Sequence, residues 1–297
     1  MKKTVLTFLM FATAAAALQA QALSSLLLPY GAESAALAGS TLARPVASFA
    51  AVENASAMSL SDSRFSVGAA YNLWAPESVG SNVADAGAAF RLGDKFALGF
   101  GGRLYSSKEL AVTNLNGATI DTFTPKDFIG NLALSYKLLD ALSVGVTARF
   151  ISSSAAPDLS GTAFGVDVSV SYAHRSLGVS AALCNLGTAV SYGGSGYSLP
   201  MLAKAGAAYK WNALTVSGET DYLFDGSFAA SAGAEYGIAG IAFLRVGYHY
   251  STQDKGLPSF ASAGIGLKFA GVELNAAYLF ASEALGNTMT FGLGYSF

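Results

Sequence analysis

Thr288-Met289-Thr290-Phe291-Gly292-Leu293-Gly294-Tyr295-Ser296-Phe297 alternates strictly between small or polar residues and large apolar ones. Successive side chains of a strand point to opposite faces. This stretch therefore has one face of Met289, Phe291, Leu293, Tyr295 and Phe297 and another of Thr, Gly and Ser. The pattern recurs upstream. Leu142, Val144, Val146, Ala148 and Phe150 oppose Ser143, Gly145, Thr147 and Arg149. Phe164, Val166, Val168, Val170 and Tyr172 oppose Gly165, Asp167, Ser169 and Ser171. Phe65, Val67, Ala69, Tyr71 and Leu73 share a face, as do Phe96, Leu98, Phe100 and Leu104. Extended along the chain, the alternation predicts strands over 64–74, 81–91, 95–106, 126–137, 140–151, 161–172, 175–186, 200–210, 212–223, 227–237, 240–251, 258–269, 271–282 and 287–297. Each is about 11 residues, the length of a tilted strand crossing a bilayer; soluble strands run to roughly five or six.

Composition points the same way. Only 12% of residues are charged, against roughly 25% in soluble domains. Beyond the first 22 residues, no apolar run reaches the roughly 20 residues a spanning helix needs. Those first residues read as a signal peptide: Lys2 and Lys3, an apolar core from Val5 to Leu18, and the Ala20-Gln21-Ala22 cleavage site. The single cysteine, Cys184, excludes an intramolecular disulfide. A net charge of −2 gives no general attraction to nucleic acid.

The connections supply an independent test. Transmembrane barrels alternate short turns on one side with longer loops on the other. Connections two, four, six, eight, ten and twelve are short: Gly93-Asp94, Leu138-Leu139, Ala173-His174, Trp211-Asn212, Ile238-Ala239 and Ala270-Gly271. The odd ones are generally longer, with 107–125 and 187–199 the longest. Proline cannot donate to a strand ladder. Pro76, Pro125, Pro157, Pro200 and Pro258 all fall in or beside the odd connections. Aromatic residues gather near strand ends, as in membrane-interface girdles, although aromatics also favour strands in general. The expected fold is an all-β transmembrane antiparallel barrel of about 14 strands over 64–297. An even count places both termini at the short-turn, periplasmic side of an outer membrane. An alternating strand that ends in Phe297 resembles the signal read by the barrel-assembly machinery.

Residues 23–63 break the strand pattern. An Ala/Ser/Gly-rich stretch follows Leu26-Leu27-Leu28-Pro29, and the small inward faces predicted for the barrel leave room for it. The segment is expected to be a plug, with a periplasmic tail as the alternative. Its Gly31-Ala32-Glu33-Ser34-Ala35-Ala36-Leu37-Ala38-Gly39-Ser40 resembles the G-x-R-x-x-x-M-G-G-A opening of the PorV/PorQ family, relatives of the FadL long-chain fatty-acid transporters. Asn54-Ala55-Ser56 stands where that family has Asn-Pro-Ala, so the proline is missing. Asn185-Leu186-Gly187 resembles its N-L-G element. The resemblance implies a FadL-like 14-strand barrel with an N-terminal hatch in the outer membrane of Bacteroidetes. It also implies work in type IX secretion, where PorV-type barrels bind the signal domains of cargo.

No metal-ligand spacing or phosphate loop emerges, and no cofactor, metal or enzymatic activity is expected. His174 and His249 lack partners placed for hydrolase chemistry. The charged residues predicted to face the lumen are more informative. They include Arg103, Arg149, Asp167, Glu219, Asp221 and Arg245, with His249 beside them. On the lipid face each Arg or Lys near midplane would cost about 2–4 kcal/mol. Inside, they read as ion pairs tying wall to plug, or as the lining of a pathway. Besides a purely structural role in outer-membrane integrity, two functions remain open. One is a barrel that binds a secreted cargo or another outer-membrane protein, with Leu110, Leu115, Ile120 and Phe123 of the longest loop as contacts. The other is a FadL-like transporter of hydrophobic or small solutes, with an apolar pocket under the outer loops and a kink or gap in the wall.

Overall fold

The computed structural model describes residues 23–297 apart from 77–79, 115, 253–256, 282–285 and 287. The expected signal peptide and Leu115 lie outside the described residues. The strands, in chain order, are β1 (Phe65–Trp74), β2 (Ser81–Leu92), β3 (Phe96–Ser106), β4 (Leu110–Thr113), β5 (Thr119–Phe123), β6 (Lys126–Leu139), β7 (Leu142–Ala156), β8 (Leu159–His174) and β9 (Leu177–Gly187). They continue as β10 (Val190–Tyr192), β11 (Ser195–Tyr197), β12 (Leu202–Trp211), β13 (Leu214–Leu223), β14 (Phe228–Ile238), β15 (Ala242–Ser251), β16 (Phe260–Phe269), β17 (Val272–Ala281) and β18 (Thr288–Ser296). Fourteen of them close into one antiparallel barrel; β4–β5 and β10–β11 are separate two-stranded hairpins in loops. The expected fold is met, with strand ends displaced by a few residues.

Side-chain alternation sets the register. Inward Ala163 is 1% exposed and its outward neighbour Phe164 is 61% exposed. The seam pairs Val67 with Tyr295 and Tyr71 with Phe291, keeping both apolar faces outward. Phe297 finishes the closure: its carbonyl accepts from the Arg64 and Phe65 amides, and its amide donates to the Phe65 carbonyl. The short turns rely on left-handed residues. Ala270 and Gly271 both have positive φ (49° and 82°), which matches the twist of a two-residue hairpin.

One odd connection departs from the expected length. β7 and β8 outrun the lipid-crossing span, and only Pro157-Asp158 separates them. Ser152, Ser153 and Ser154 pair with Thr162, Gly161 and Ser160, so the ladder continues as a polar hairpin above the apolar band. Pro157 sits at its tip, where no ladder donor is lost.

Residues 24–60 lie inside the barrel. They form short helical turns at Ser24–Leu27, Gly31–Ala36, Ala47–Phe49, Ala50–Glu53 and Ala55–Leu60. The segment circles the lumen, and the wall meets it with glycine. A Cβ at Gly87 would overlap the Ser48 carbonyl, and one at Gly145 the Ser56 amide. Gly247 and Gly264 stand in the same relation to Leu37–Ala38 and Ala36. The plug's path runs between the two ends of the barrel. Arg64 and Phe297 do lie together at the short-turn end. The preceding segment, however, runs back through the lumen. Leu23 and Leu26 pack with Ile129, Ile151, Val190 and Leu199 at the long-loop end.

Overpacking of this kind costs about 1–3 kcal/mol. Gly145→Ala should therefore unseat the plug roughly five- to 150-fold more often without opening the barrel. Protease cleavage within 23–63 should accelerate while the unheated protein keeps its fast, folded mobility on a denaturing gel. Unchanged cleavage would show that the plug does not rest on Gly145.

Candidate functional site

Three charged nodes and a bed of serines hold the plug, and a fourth node ties the wall together. Arg103 is 1% exposed and lies on β3. Its Nε and Nη2 grip Asp85 of β2 at 2.7 and 3.0 Å. Its remaining donors reach the plug carbonyls of Ser25 (2.7 Å), Leu28 (2.9 Å) and Pro29 (2.8 Å). The Tyr30 ring stacks on the guanidinium at 3.7 Å. One rigid fork thus fixes residues 25–30, which no point-charge ammonium could do. Ser25 also donates to Asp127 at 2.7 Å.

The second node links four strands of the wall. Arg149 donates to Asn131 (2.8 Å), to Asp167 (2.7 Å) and to Asn185. Asn185 adopts φ 59°. A β-bulge there sets Asp167 of β8 opposite two residues of β9, and Asp167 accepts the Asn185 amide at 2.7 Å. Above this point the β9–β12 ladder stops, its last pair being Leu202 with Cys184. The Asn185 side chain spans the break to the Pro200 carbonyl at 2.9 Å.

Lower in the lumen, Arg245 joins Glu235 (2.7 Å), plug Glu33 (3.2 Å) and Asn275 (2.7 Å). Plug Arg44 adds a contact to Glu235 at 3.3 Å. The fourth node is Lys204, at 2.5 Å from Glu219 and 3.8 Å from Asp221. Glu219 in turn accepts the plug amide of Leu42 at 2.8 Å. Between the nodes, Ser143 and Ser135 donate to the Ser56 carbonyl, Thr147 to Ala51 and Ser262 to Ala36. Buried backbone groups need such partners.

Under the long-loop end the plug leaves a cavity of about 110 Å³. Leu26, Leu27, Leu28, Leu42, Val52, Leu202, Leu223 and Leu257 give it an apolar lining, and Glu53, Lys204, Asp221, Ser227 and His249 a polar side. Burial pushes the Glu53 carboxyl up to about 7, with the Ser34 hydroxyl and Lys204 opposing the rise and Glu219 and Glu33 adding to it.

The structure brings together Arg149, Asp167 and Asn185, and, through Lys204, Glu219 and Asp221. Arg103 and Arg245 form separate nodes, and His249 shares a hydrogen bond with Ser231 at 2.8 Å and stacks on Phe260. Gly31 and Gly39 take positive φ at plug turns. Asn54 is buried and bridges the Leu42 carbonyl to Ser171. Gly187 lies against the Phe164 carbonyl, where a Cβ would not fit. Asp85, Asn131, Glu33 and Glu53 were absent from the sequence-level set. Asp85 and Asn131 sit at inward parity on β2 and β6, which could have found them; the plug carboxylates offered no periodicity to read.

No family model matches the chain, and no curated protein matches it in sequence. Solved structures do. The toluene transporter TbuX of Ralstonia pickettii matches with a TM-score of 0.68 at 13% identity, over 91% of this chain and 98% of that one. The toluene transporter TodX of Pseudomonas putida matches at 0.69 and 14% identity, over 91% and 98%. A FadL homologue of Pseudomonas aeruginosa matches at 0.58 and 13% identity, over 91% and 96%. The chain has a FadL-like fold.

Breaking a buried ion pair by removing one partner costs about 3–5 kcal/mol. Arg103→Ala strands Asp85 and frees three plug carbonyls. Residues 23–30 should then become protease-accessible, read by mass spectrometry of the cleaved fragments, and Arg103→Lys should not restore protection. Equal protection in all three proteins would contradict the fork. Glu53 gives a pH dependence. Its pKa is higher folded (about 7) than in a solvated chain, so its contribution to plug seating is full below about 4.5. That contribution is lost as pH rises through 7. Plug cleavage should increase between pH 5 and 8, and Glu53→Gln should flatten the profile; an identical profile in the variant would remove Glu53 as its source.

Proposed function

We propose that this chain is an outer-membrane channel that admits small hydrophobic or amphipathic solutes, in the manner the FadL resemblance implies. The observation that carries the reading is the leucine-lined cavity above a filled lumen. A free pore for ions and sugars needs an open lumen, whereas a solute that must be desolvated and held needs an enclosed apolar pocket. Its volume, about 110 Å³, is of the order of the roughly 150 Å³ apolar cavity that accepts benzene in another protein. In this reading the long loops face outward and the short turns and Phe297 face the periplasm. The solute enters beside β10–β11. The interrupted β9–β12 ladder at Asn185 is the wall irregularity that a FadL-like route calls for. The likeness to two toluene transporters favours transport over the PorV/PorQ secretion reading. That second reading keeps one observation of its own, the exposed Leu110 and Ile120 of the β4–β5 hairpin, with Phe123 half-buried beside them.

Leu223→Trp fills the cavity from its β13 wall. Cells carrying it in place of the wild type should take up toluene or ethylbenzene at a rate near that of cells lacking the protein, with barrel level unchanged. Wild-type uptake by the variant would sink the transport reading. A pull-down from outer-membrane extracts tests the other reading: it requires a partner lost on deletion of 108–124.

A further inference from the structure

The cavity holds more hydrogen-bonding capacity than its own walls use. Glu53 Oε2, Asp221 Oδ1, Ser227 Oγ, His249 Nε2 and the Tyr30 hydroxyl are buried atoms without a hydrogen-bond partner among the described residues, and all five residues line the cavity. Ser227, Tyr30 and His249 are each more than nine-tenths buried. Polar groups in such surroundings are ordinarily paired, and unpaired ones that converge on one space mark what that space is shaped to receive.

Their chemistry has a sign. Among the described residues two cations border the cavity, and both are committed. Arg149 is spent on Asp167, Asn131 and Asn185. Lys204 sits between Glu219 and Asp221, one ammonium for two carboxylates. Among the described residues Glu53 forms no ion pair; the Thr41 hydroxyl donates to it at 3.3 Å, and Lys204 acts on it from farther away. Two of the free atoms are carboxylate oxygens, which accept and do not donate. An anionic head group would meet excess negative charge. A plain hydrocarbon would leave every one of these atoms bare. An ammonium offers three donors and one positive charge.

We propose that the cavity is selective for small cationic amphiphiles, such as arylalkylamines, with the ammonium held by Glu53 and Asp221 and the apolar body against Leu26, Leu42, Leu202 and Leu223. This assignment rests on the transport reading and narrows it to a substrate class.

The test uses three probes of one shape: phenethylamine, ethylbenzene and phenylacetate. Equilibrium dialysis against the full-length protein in nanodiscs, with empty nanodiscs subtracted, measures binding of each. A charge-assisted hydrogen bond to an otherwise bare carboxylate is worth roughly ten- to a hundredfold in affinity. Phenethylamine should bind more tightly than both isosteres by that factor. Asp221→Asn and Glu53→Gln should each remove roughly tenfold from the amine and leave ethylbenzene unchanged. Ethylbenzene binding equal to or tighter than the amine would overturn the selectivity and leave the transport reading standing. Preference for phenylacetate would overturn it in sign. Binding of none of the three would overturn the transport reading itself.

Discussion

Everything else in this structure depends on the closeness of plug backbone to barrel wall. Small barrels fill themselves with side chains and large ones leave a water channel. Fourteen strands enclose a lumen too wide for the first and narrow enough to be stopped by one strand of chain. Residues 24–60 are that chain, packed along the inner wall. A backbone has no length to spare, so the wall must come to it. Gly87, Gly145, Gly247 and Gly264 make the approach possible, and serine hydroxyls beside them satisfy the plug carbonyls that the approach buries. The glycine–serine inner face is therefore a consequence of how the lumen is filled. It also explains the low charge of the chain, since one face meets lipid and the other meets Ala- and Ser-rich backbone.

The few charges inside fall where the serine bed cannot serve. Residues 25–30 turn without a regular helix, and their carbonyls converge. Only a guanidinium can serve three carbonyls and a carboxylate at once, and Arg103 does so. Arg149 plays the corresponding part where the wall itself is irregular. The bulge at Asn185 leaves an amide and a side chain with no ladder partner, and the Arg149–Asp167 pair takes up both. Buried pairs of this kind contribute little net stability against apolar replacements but penalise any arrangement that separates them. Their effect here is to allow one position of the plug and one path of β9.

The barrel was legible because its signal is local: period two, about eleven residues, proline excluded from the ladder. Parity alone assigned Arg103, Arg149, Asp167, Glu219, Asp221 and Arg245 to the lumen, where all of them lie. What parity cannot give is distance around the barrel. Glu219 and Asp221 find their partner, Lys204, on the neighbouring strand, a pairing fixed by register. The plug was legible only as composition. Its turns follow the lumen wall and carry no period of their own, so Glu33 and Glu53 gave no sign of being aimed inward. The Pro157 turn misled for a similar reason: the polar residues Ser152–Ser154 read as loop, although ladder pairing continues through them.

The node at Lys204 joins the two halves of the lumen. Glu219 holds the plug through the Leu42 amide, and the same Lys204 ammonium that balances Glu219 also faces Asp221 at the cavity. Leu42 is itself part of the cavity lining. A positive charge placed on Asp221 relieves Lys204 of its second carboxylate and lets it pair with Glu219 alone; a negative one draws it away. A charged occupant would thus act through Lys204 and Glu219 on the hydrogen bond that seats Leu42. Cavity and plug share a carboxylate–ammonium pair, so filling the first and holding the second are not independent events.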